Sequence, residues 1–419
     1  MLETIRDRRN RVVVTGVGAV TPLASTAEET WSSMVLGQSG IGPITTFDVT
    51  DLGTTIGGEI RNFDIGDYLP RNVSRRMDSY AQYAMAAALQ AVESAKVVIN
   101  GDNAARVGVV LGTGYGPVRA NQLVTETLEA KGPRSVSPLS QVTGAPDSAA
   151  GEISLLLGAQ GPTRAISTAC ATGTDAIGEA ARWIQLGVCD VMIAGGADNC
   201  LTRADFAGTG KTGALSTRNT EAQRASRPFD ADRDGFVMSA GAGVVVLESA
   251  DHAIARDARV LAELAGYAST SDAHHWTAPH PQADGARRAM TQAIRDAGVT
   301  PADIDYVNAH GTGTQIGDER ELWAIRQVLG AHADEVSISS TKSMTGHMIG
   351  ATGAVELIAS TLAIRDGVIP PTINLDTPID PELNLVPWVA QKREVRTAMS
   401  NSFGFGGHNA VVVLRGWLW

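Results

Sequence analysis

The sequence is poor in cysteine, in aromatic residues and in positive charge. Its 419 residues include 3 cysteines, which excludes a disulfide scaffold and favours a reducing compartment, so we expect a cytoplasmic protein. Phe, Trp and Tyr make up only 5 % of the chain. Lys and Arg number 34 against 45 for Asp and Glu, giving a formal net charge of −11. That balance argues against broad nucleic-acid binding, which requires a basic surface.

Long apolar runs are also absent. No stretch reaches the roughly 18 apolar residues that a membrane helix needs. The arginines before the apolar run Val12–Val20, namely Arg6, Arg8, Arg9 and Arg11, give this region the outline of a signal peptide. Gly16 and Gly18 interrupt that run, however, and its apolar residues are β-branched rather than leucine-rich. We therefore predict a buried strand that ends in a glycine turn.

Glycine, in contrast, is abundant, at 45 residues. A composition of 43 % hydrophobic and 19 % charged residues is typical of a folded protein, and the length predicts two domains or two fused halves. Short β-branched runs alternate with alanine-rich segments, which predicts an α/β fold. The predicted strands are Arg11–Thr15, Arg106–Leu111, Val188–Ala194, Gly243–Glu248, Ile304–Asn308, Val336–Ser339 and Ala410–Arg415. The predicted helices are Ser79–Ala95, Thr172–Leu186, Gly285–Ala297, Asp318–Leu329 and Gly353–Asp366.

Two segments of the chain resemble each other. Gly235–Glu248 and Ser402–Arg415 each consist of an aromatic-glycine loop followed by a Val-Val-Val-Leu strand. This repeat predicts two similar halves, residues 1–255 and 256–419.

Cys170 is the best candidate nucleophile. It ends a strand-like stretch, and an alanine-rich helix starts immediately after it. A thiol at a helix N-terminus experiences the positive end of the helix dipole, so we expect a lowered pKa. The alternative is that Cys170 is a small buried apolar residue, which is our interpretation of Cys189 and Cys200.

Two histidines and a lysine lie in loops rich in glycine and threonine. His310 follows a predicted strand, and His347 precedes a glycine-rich helix start. Lys342 stands five residues before His347. A cysteine, two histidines and a lysine at such junctions point to an active site.

Two other patterns do not predict sites. Gly16-Val17-Gly18 after a strand suggests dinucleotide binding, but Thr21 occupies the third glycine position of that motif. The three histidines between residues 274 and 280 lack further ligands at a known spacing, so we predict no metal site.

Four ordered motifs together resemble the β-ketoacyl-acyl-carrier-protein synthases, and the similarity covers almost the whole chain. The motifs are Thr168-Ala169-Cys170, Asn308-Ala309-His310-Gly311-Thr312, Ser340-Thr341-Lys342-Ser343-Met344-Thr345-Gly346-His347 and Asn401-Ser402-Phe403-Gly404-Phe405-Gly406-Gly407. The resemblance implies the thiolase fold, in which two similar halves form five layers, α-β-α-β-α. It is nearest to the type II enzymes of bacterial fatty-acid synthesis.

The resemblance also implies a division of roles. Cys170 would take an acyl group from carrier-protein phosphopantetheine, and condensation with a malonyl thioester would follow with loss of carbon dioxide. His310 and His347 would bind the malonyl carbonyl as neutral imidazoles. Lys342 matches the family's lysine, and Glu356 the carboxylate expected to pair with it. No cofactor is implied.

Further positions match the family's binding residues. The backbone N–H groups of Cys170 and Phe405 would form an oxyanion hole, and Phe405 would be the gate that admits malonyl substrate. Thr312 and Thr314 resemble the threonines that contact pantetheine. The matching structural carboxylates are Asp318 and Glu321.

The chain departs from the family pattern at the expected acyl pocket. Tyr115 stands where relatives often carry a small or aliphatic residue, and Ser140 where bulky aromatics often occur. The stretch 141–148, which we expect near a dimer interface, also differs. We expect a homodimer, with a heterodimer with a chain-length-factor subunit of a polyketide or polyene pathway as the alternative.

An acidic enzyme that binds an acidic carrier protein needs a local basic surface. Arg71, Arg75 and Arg76 are the candidates, and the alternative is a solvated helix start. A non-catalytic partner subunit and a Cys–His thioester hydrolase are competing interpretations of the whole chain. The presence of Cys170 disfavours the first, and Lys342 with two histidines disfavours the second.

Overall fold

The computed structural model describes residues 10–417 and shows a mixed α/β protein. The strands are β1 (Val12–Val20), β2 (Gly42–Pro43), β3 (Ile56–Gly57), β4 (Val107–Gly112), β5 (Thr163–Ile166), β6 (Val191–Asp198), β7 (Gly241–Ser249), β8 (Ala262–Ser271), β9 (Tyr306–Asn308), β10 (Ser337–Ser339), β11 (Val368–Ile369), β12 (Gln391–Lys392), β13 (Thr397–Gly404) and β14 (His408–Arg415). The α-helices are α1 (Ala27–Val35), α2 (Arg71–Ser74), α3 (Ser79–Ala95), α4 (Val118–Lys131), α5 (Ser140–Thr143), α6 (Ser148–Leu157), α7 (Thr172–Gln185), α8 (Arg203–Lys211), α9 (Ala250–Ala255), α10 (Asp284–Ala297), α11 (Gln315–Leu329), α12 (Lys342–Thr345) and α13 (Thr352–Asp366).

Ten strands form one sheet in which the same topology occurs twice. The order is β10-β9-β13-β14-β8-β1-β7-β6-β4-β5. Each side contains five strands of one half of the chain. Counted outward from the middle of the sheet, these are the first, fifth, fourth, second and third strands of that half: β1-β7-β6-β4-β5 on one side and β8-β14-β13-β9-β10 on the other. The two similar segments in the sequence supply β7 and β14, which hold equivalent positions. The sides join where β1 and β8 pair over two residue pairs.

Helices lie on both faces of each side of the sheet. Helices α7 and α13 contact strands of both sides, α7 against β6 and β14 and α13 against β7 and β13. Helix α3 covers β1 and β7 from outside, and α10 covers β8 and β14. These contacts give the layer order α-β-α-β-α, with α7 and α13 in the central layer. The first twelve residues of α13 are all buried, as a central helix requires.

The apolar run near the N-terminus is strand β1, buried at every position. Gly16 and Gly18 lie inside this strand rather than in a turn after it. A Cβ on either residue would lie within about 2 Å of a carbonyl oxygen of α3, so these glycines allow a close helix approach. Gly195, which follows the end of the predicted strand Val188–Ala194, lies inside β6 for a similar reason, because it allows the backbone of β7 to approach closely. Within residues 10–417, no helix has the length and apolarity of a membrane span, and the arginines at 6–9 lie outside the described residues.

Candidate active site

Cys170 lies in a turn between strand β5 and helix α7. A 3-10 turn, Ala169–Ala171, leads directly into the helix, so the cysteine stands at the helix N-terminus as predicted. Ala169 has a φ of +50°, a conformation rarely adopted by residues with a Cβ, which bends the chain sharply before the sulfur. The Cys170 side chain is 8 % exposed and packs in an apolar cluster with Ile349 and Phe405.

The expectation of a lowered pKa for Cys170 is wrong. Burial raises the pKa of this thiol to about 11, whereas the N–H of Phe405 and the charge on Lys342 lower it by less. Burial destabilises the thiolate by more free energy than its position at the helix N-terminus stabilises it. Cys170 is therefore a neutral thiol at physiological pH and must lose its proton as it attacks.

Hydrogen bonds from the backbone, and not from the side chain, fix the position of His310. The residue follows strand β9, and the N–H groups of His310 and Gly311 donate to Glu321 at 2.7 and 2.6 Å. Asn401 Nδ2 donates to the same carboxylate at 3.1 Å. Glu321 therefore fixes the loop, while the imidazole of His310 makes no bond to that carboxylate.

The next part of this loop carries the two threonines. Asp318 accepts hydrogen bonds from the backbone N–H of Phe229 at 2.8 Å and of Gly313 at 3.1 Å. Burial raises the pKa of Asp318 to about 7, although these bonds oppose the rise. The hydroxyl oxygens of Thr312 and Thr314 lie 3.1 Å apart. Asp318 thus orders the segment that presents both hydroxyls.

Lys342 is the first residue of the short helix α12, and His347 lies just after the end of this helix. Thr352 Oγ1 lies 3.0 Å from Nδ1 of His347, which leaves Nε2 buried and without a hydrogen-bond partner among the described residues. Lys342 Nζ donates to Glu356 Oε1 at 2.6 Å. Burial raises the pKa of Glu356 to about 7, and the lysine charge opposes this rise.

The two imidazoles are adjacent and neutral. Their ring centroids lie 5.4 Å apart at an interplanar angle of 83°. Burial lowers both pKa values well below the usual range for histidine, and the positive charge of Lys342 lowers them further. His310 Nδ1 and His347 Nε2 are buried without partners in the described part of the chain. A substrate oxygen between the rings would receive hydrogen bonds rather than meet imidazolium ions.

The loop after strand β13 brings Phe405 to the cysteine. The backbone N–H groups of Phe405 and Cys170 both lower the pKa of the Cys170 thiol, because they favour its thiolate form. Two such donors are the requirement for an oxyanion hole. Gly406 has a φ of +84°, and its N–H donates to the carbonyl of Trp276 at 2.7 Å. This bond links the Phe405 loop to the segment after β8.

One cavity of about 720 Å³ joins these groups. Cys170, His310, His347 and Phe405 all contribute to its wall. The wall also contains Thr312, Thr314, Glu321 and, on the cysteine side, Tyr115 and Ile349. The size is sufficient for a flexible thioester chain that reaches a buried cysteine.

Comparison with known proteins agrees with this geometry. Residues 9–253 match the family model "Beta-ketoacyl synthase, N-terminal domain", and residues 261–376 match "Beta-ketoacyl synthase, C-terminal domain". The chain belongs to the β-ketoacyl synthase family. It is a condensing acyltransferase of that family, as the sequence predicts.

Relatives of the synthase cover nearly its whole length. It is 46 % identical over 411 residues to "3-oxoacyl-[acyl-carrier-protein] synthase 2" of Staphylococcus aureus (strain N315), which covers 98 % of this chain and 99 % of the relative. The enzyme of the same name from Synechocystis sp. is 45 % identical over 409 residues, 97 % of this chain and 98 % of the relative.

Solved structures show the same fold. A β-ketoacyl synthase from Burkholderia phymatum is 35 % identical with a TM-score of 0.90, and the ishigamide ketosynthase/chain length factor is 36 % identical with a TM-score of 0.89. Both alignments cover 98 % of this chain and 100 % of the other. These proteins are thiolase-fold ketosynthases, so the fold prediction is confirmed.

Some candidate residues lie outside the synthase cavity. Ser140 is not in its wall, and the Ser140 hydroxyl donates to the carbonyl of Ser137 at 2.7 Å. Arg71 and Arg75 are exposed on and beside helix α2, away from the cavity wall. Arg76 forms an ion pair with the buried Glu152, so the positive charge of Arg76 is largely neutralised within the protein.

The sequence did not single out two residues that the site uses. The hydroxyl of Thr352 forms a hydrogen bond with the ring of His347. In the sequence, the only feature that could have identified Thr352 is a hydroxyl residue at a helix start, five positions after a histidine. Asp198 ends strand β6 and bonds the loop of Tyr115. An acidic residue that ends an apolar strand is the signal that could have identified it.

Proposed function

We propose that the synthase catalyses decarboxylative Claisen condensation between an acyl group held on Cys170 and a malonyl thioester of acyl carrier protein, in fatty-acid synthesis. The observation that carries this proposal is the pairing of two neutral histidines with a buried cysteine in one cavity. Hydrolysis of a thioester would need one base. Two adjacent imidazoles kept neutral by burial and by Lys342 suit stabilisation of an enolate.

In the first step, the sulfur of Cys170 attacks the acyl thioester. The new C–S bond forms as the bond to the pantetheine sulfur breaks, and the thiol proton leaves with the pantetheine thiol. The N–H groups of Cys170 and Phe405 stabilise the tetrahedral oxyanion. The two-step reaction is ping-pong.

In the second step, the malonyl carbonyl lies between His310 and His347. Loss of carbon dioxide leaves its electron pair as an enolate, which accepts hydrogen bonds from ring N–H groups. For His347 this requires a proton on Nε2, and a hydroxyl of Thr352 that donates to Nδ1 favours that tautomer. The enolate carbon attacks the acyl carbonyl, the C–S bond to Cys170 breaks, and the released thiolate takes a proton from solvent water.

Carrier protein delivers both substrates on a phosphopantetheine arm. Thr312 and Thr314 line the cavity and present hydroxyl groups to the amides of that arm. Arg71 and Arg75 are exposed cations suited to an acidic carrier. A polyketide ketosynthase bound to its acyl carrier protein is 33 % identical to this chain with a TM-score of 0.89, which supports the same type of partner.

We further propose that the synthase forms a homodimer. Strand β5 is an edge strand of the sheet, and the segment that precedes it in the chain exposes Leu139, Val142 and Leu155 at 47, 57 and 70 %. An exposed edge beside apolar side chains favours association. The ishigamide ketosynthase/chain length factor supports the alternative, a non-identical partner in a polyketide or polyene pathway.

The test separates the two half-reactions. Intact-mass measurement after incubation with acyl carrier thioester should show an acyl adduct on the wild type and on His310→Ala, but none on Cys170→Ser. Release of carbon dioxide from malonyl carrier protein should be lost in His310→Ala. His332→Ala is the matched control, because that ring bonds the carbonyl of Ile304 outside the cavity wall. Decarboxylation by His310→Ala at the wild-type rate would refute the assignment.

A further inference from the structure

Asp198 is a buried carboxylate that the proposed mechanism does not use. It ends strand β6, has no exposed surface and accepts four hydrogen bonds. Oδ1 accepts from Thr113 Oγ1 at 2.7 Å and from the N–H of Tyr115 at 3.0 Å. Oδ2 accepts from the N–H of Gly114 at 2.8 Å and of Gly350 at 2.7 Å. A carboxylate has about four acceptor sites, so its capacity is fully used.

These donors come from two segments that are distant in sequence. One is the turn after strand β4, and the other is the 3-10 turn Ile349–Ala351 before helix α13. A Cβ on Gly350 would lie 2.5 Å from Asp198 Oδ2 and 2.6 Å from the nitrogen of Gly114. Only glycine allows this approach, and the carboxylate is the common anchor of both segments.

Each segment places a side chain in the cavity wall near Cys170. The first supplies Tyr115 and the second supplies Ile349. Ile349 has a φ of +48°, which is costly for a β-branched residue and must be held by its surroundings. The hydrogen bond from the next residue, Gly350, to Asp198 supplies such a restraint.

The groups of the decarboxylation step have other anchors. The loop of His310 is held by Glu321, and the ring of His347 by Thr352. Neither anchor contacts Asp198 by a hydrogen bond. Changes at Asp198 therefore act first on the two turns that carry Tyr115 and Ile349, the second of which lies between His347 and Thr352 in the sequence.

We propose that Asp198 is a positioning residue that fixes the wall of the acyl pocket and thereby sets which chain lengths load onto Cys170. The inference rests on the proposed function, because it concerns the first half-reaction. Asparagine at this position keeps the shape of the side chain but replaces one acceptor oxygen with an N–H₂ donor. At the Oδ2 position that donor would face the N–H groups of Gly114 and Gly350, so the turn at Gly350 would lose its bond to residue 198; at the Oδ1 position it would face the N–H of Tyr115.

The experiment compares Asp198→Asn with the wild type across chain lengths. Rates of Cys170 acylation are measured by intact mass with acetyl, hexanoyl and decanoyl carrier-protein thioesters. We expect the acetyl rate to change less than about threefold and the decanoyl rate to fall about tenfold or more, because only the longer chain needs an ordered wall. Carbon dioxide release from malonyl carrier protein should stay within about twofold of the wild type, since its anchors are intact.

Glu248→Gln is the matched control. Glu248 is equally buried, and it lies at the other end of the strand pair β6–β7, bonded to Arg256 rather than to cavity loops. It should lower thermal stability without changing the ratio of decanoyl to acetyl rates. Thr113→Val removes one donor to Asp198 and provides a milder variant should Asp198→Asn fail to fold. An unchanged ratio in the folded variant, or an equal loss at all chain lengths, would overturn the proposal. Failure of the proposed function itself would show as absent acylation in the wild type.

Discussion

Lys342 Nζ lies 2.6 Å from Glu356 Oε1, and both side chains are 1 % exposed. A buried ion pair contributes little net stability, because removing two charges from water offsets their attraction. Its importance here is electrostatic. The charge of Lys342 lowers the pKa values of His310 and His347 in addition to the effect of burial.

Removing this charge should make decarboxylation dependent on pH. In Lys342→Met the pKa values of His310 and His347 should move up toward about 6.5, the usual value. Wild-type carbon dioxide release should be insensitive to pH from 8 down to about 6, because lowered pKa values keep both rings neutral there. The variant should lose activity at a higher pH than the wild type does, although burial, the larger cause, still lowers both pKa values. Lys342→Arg, which keeps the charge, is the control and should retain the flat profile; a flat profile in Lys342→Met would contradict this role.

The raised pKa of Cys170 predicts the pH dependence of its alkylation. Since the thiolate is the reactive form, the rate of reaction with iodoacetamide should rise about tenfold per pH unit up to pH ~10. Intact-mass measurement gives the rate, and Cys170→Ser reports any background from Cys189 and Cys200, which have no exposed surface. A plateau below pH 8 would show that the helix N-terminus, and not burial, controls this thiol.

Tyr115 should limit the length of the acyl chain. Its ring lines the cavity beside Cys170, and its hydroxyl lies 3.4 Å from Thr209 Oγ1. Tyr115→Ala should shift the preferred substrate to longer chains, because each further methylene that the enlarged pocket buries contributes about 0.8 kcal/mol. Ser140→Ala is the matched control and should leave the profile of acylation rates unchanged. Identical profiles of acylation rates for Tyr115→Ala and the wild type would show that the acyl chain does not extend toward Tyr115.

The features predicted well from sequence are those that depend on nearby residues. Helix α3 spans Ser79–Ala95 as predicted, because Asp78 caps its first turn and its apolar spacing is regular. Strand β6 was predicted to end at Ala194 but continues to Asp198, since its glycines allow β7 and the turn at Gly350 to approach closely.

The site shows the same division between local and distant effects. The position of Cys170 at a helix start follows from adjacent residues. Its pKa does not, because the groups that bury it, including Ile349 and Phe405, come from the other end of the chain. Asp198 was missed because one of its donors, Gly350, lies 152 residues away.

Arg71 and Arg75 should contribute to carrier-protein binding, and Arg76 should not. The first two are exposed cations, whereas Arg76 is paired with Glu152. Reversing both charges, Arg71→Glu with Arg75→Glu, should lower kcat/KM for acyl carrier thioester about tenfold at low salt, with the difference decreasing as salt screens the charges. Rates with acyl pantetheine, which lacks the protein, should be unchanged.

Arg396→Glu is the control for that experiment. This side chain is 78 % exposed and precedes strand β13, at the opposite end of the strand from the Phe405 loop. Its reversal should not affect kcat/KM with either substrate, because an exposed charge outside the cavity wall neither steers nor contacts the carrier. Equal losses for carrier and pantetheine thioesters in the double variant would mean that Arg71 and Arg75 support the fold. No loss with either substrate would place the carrier on a different surface.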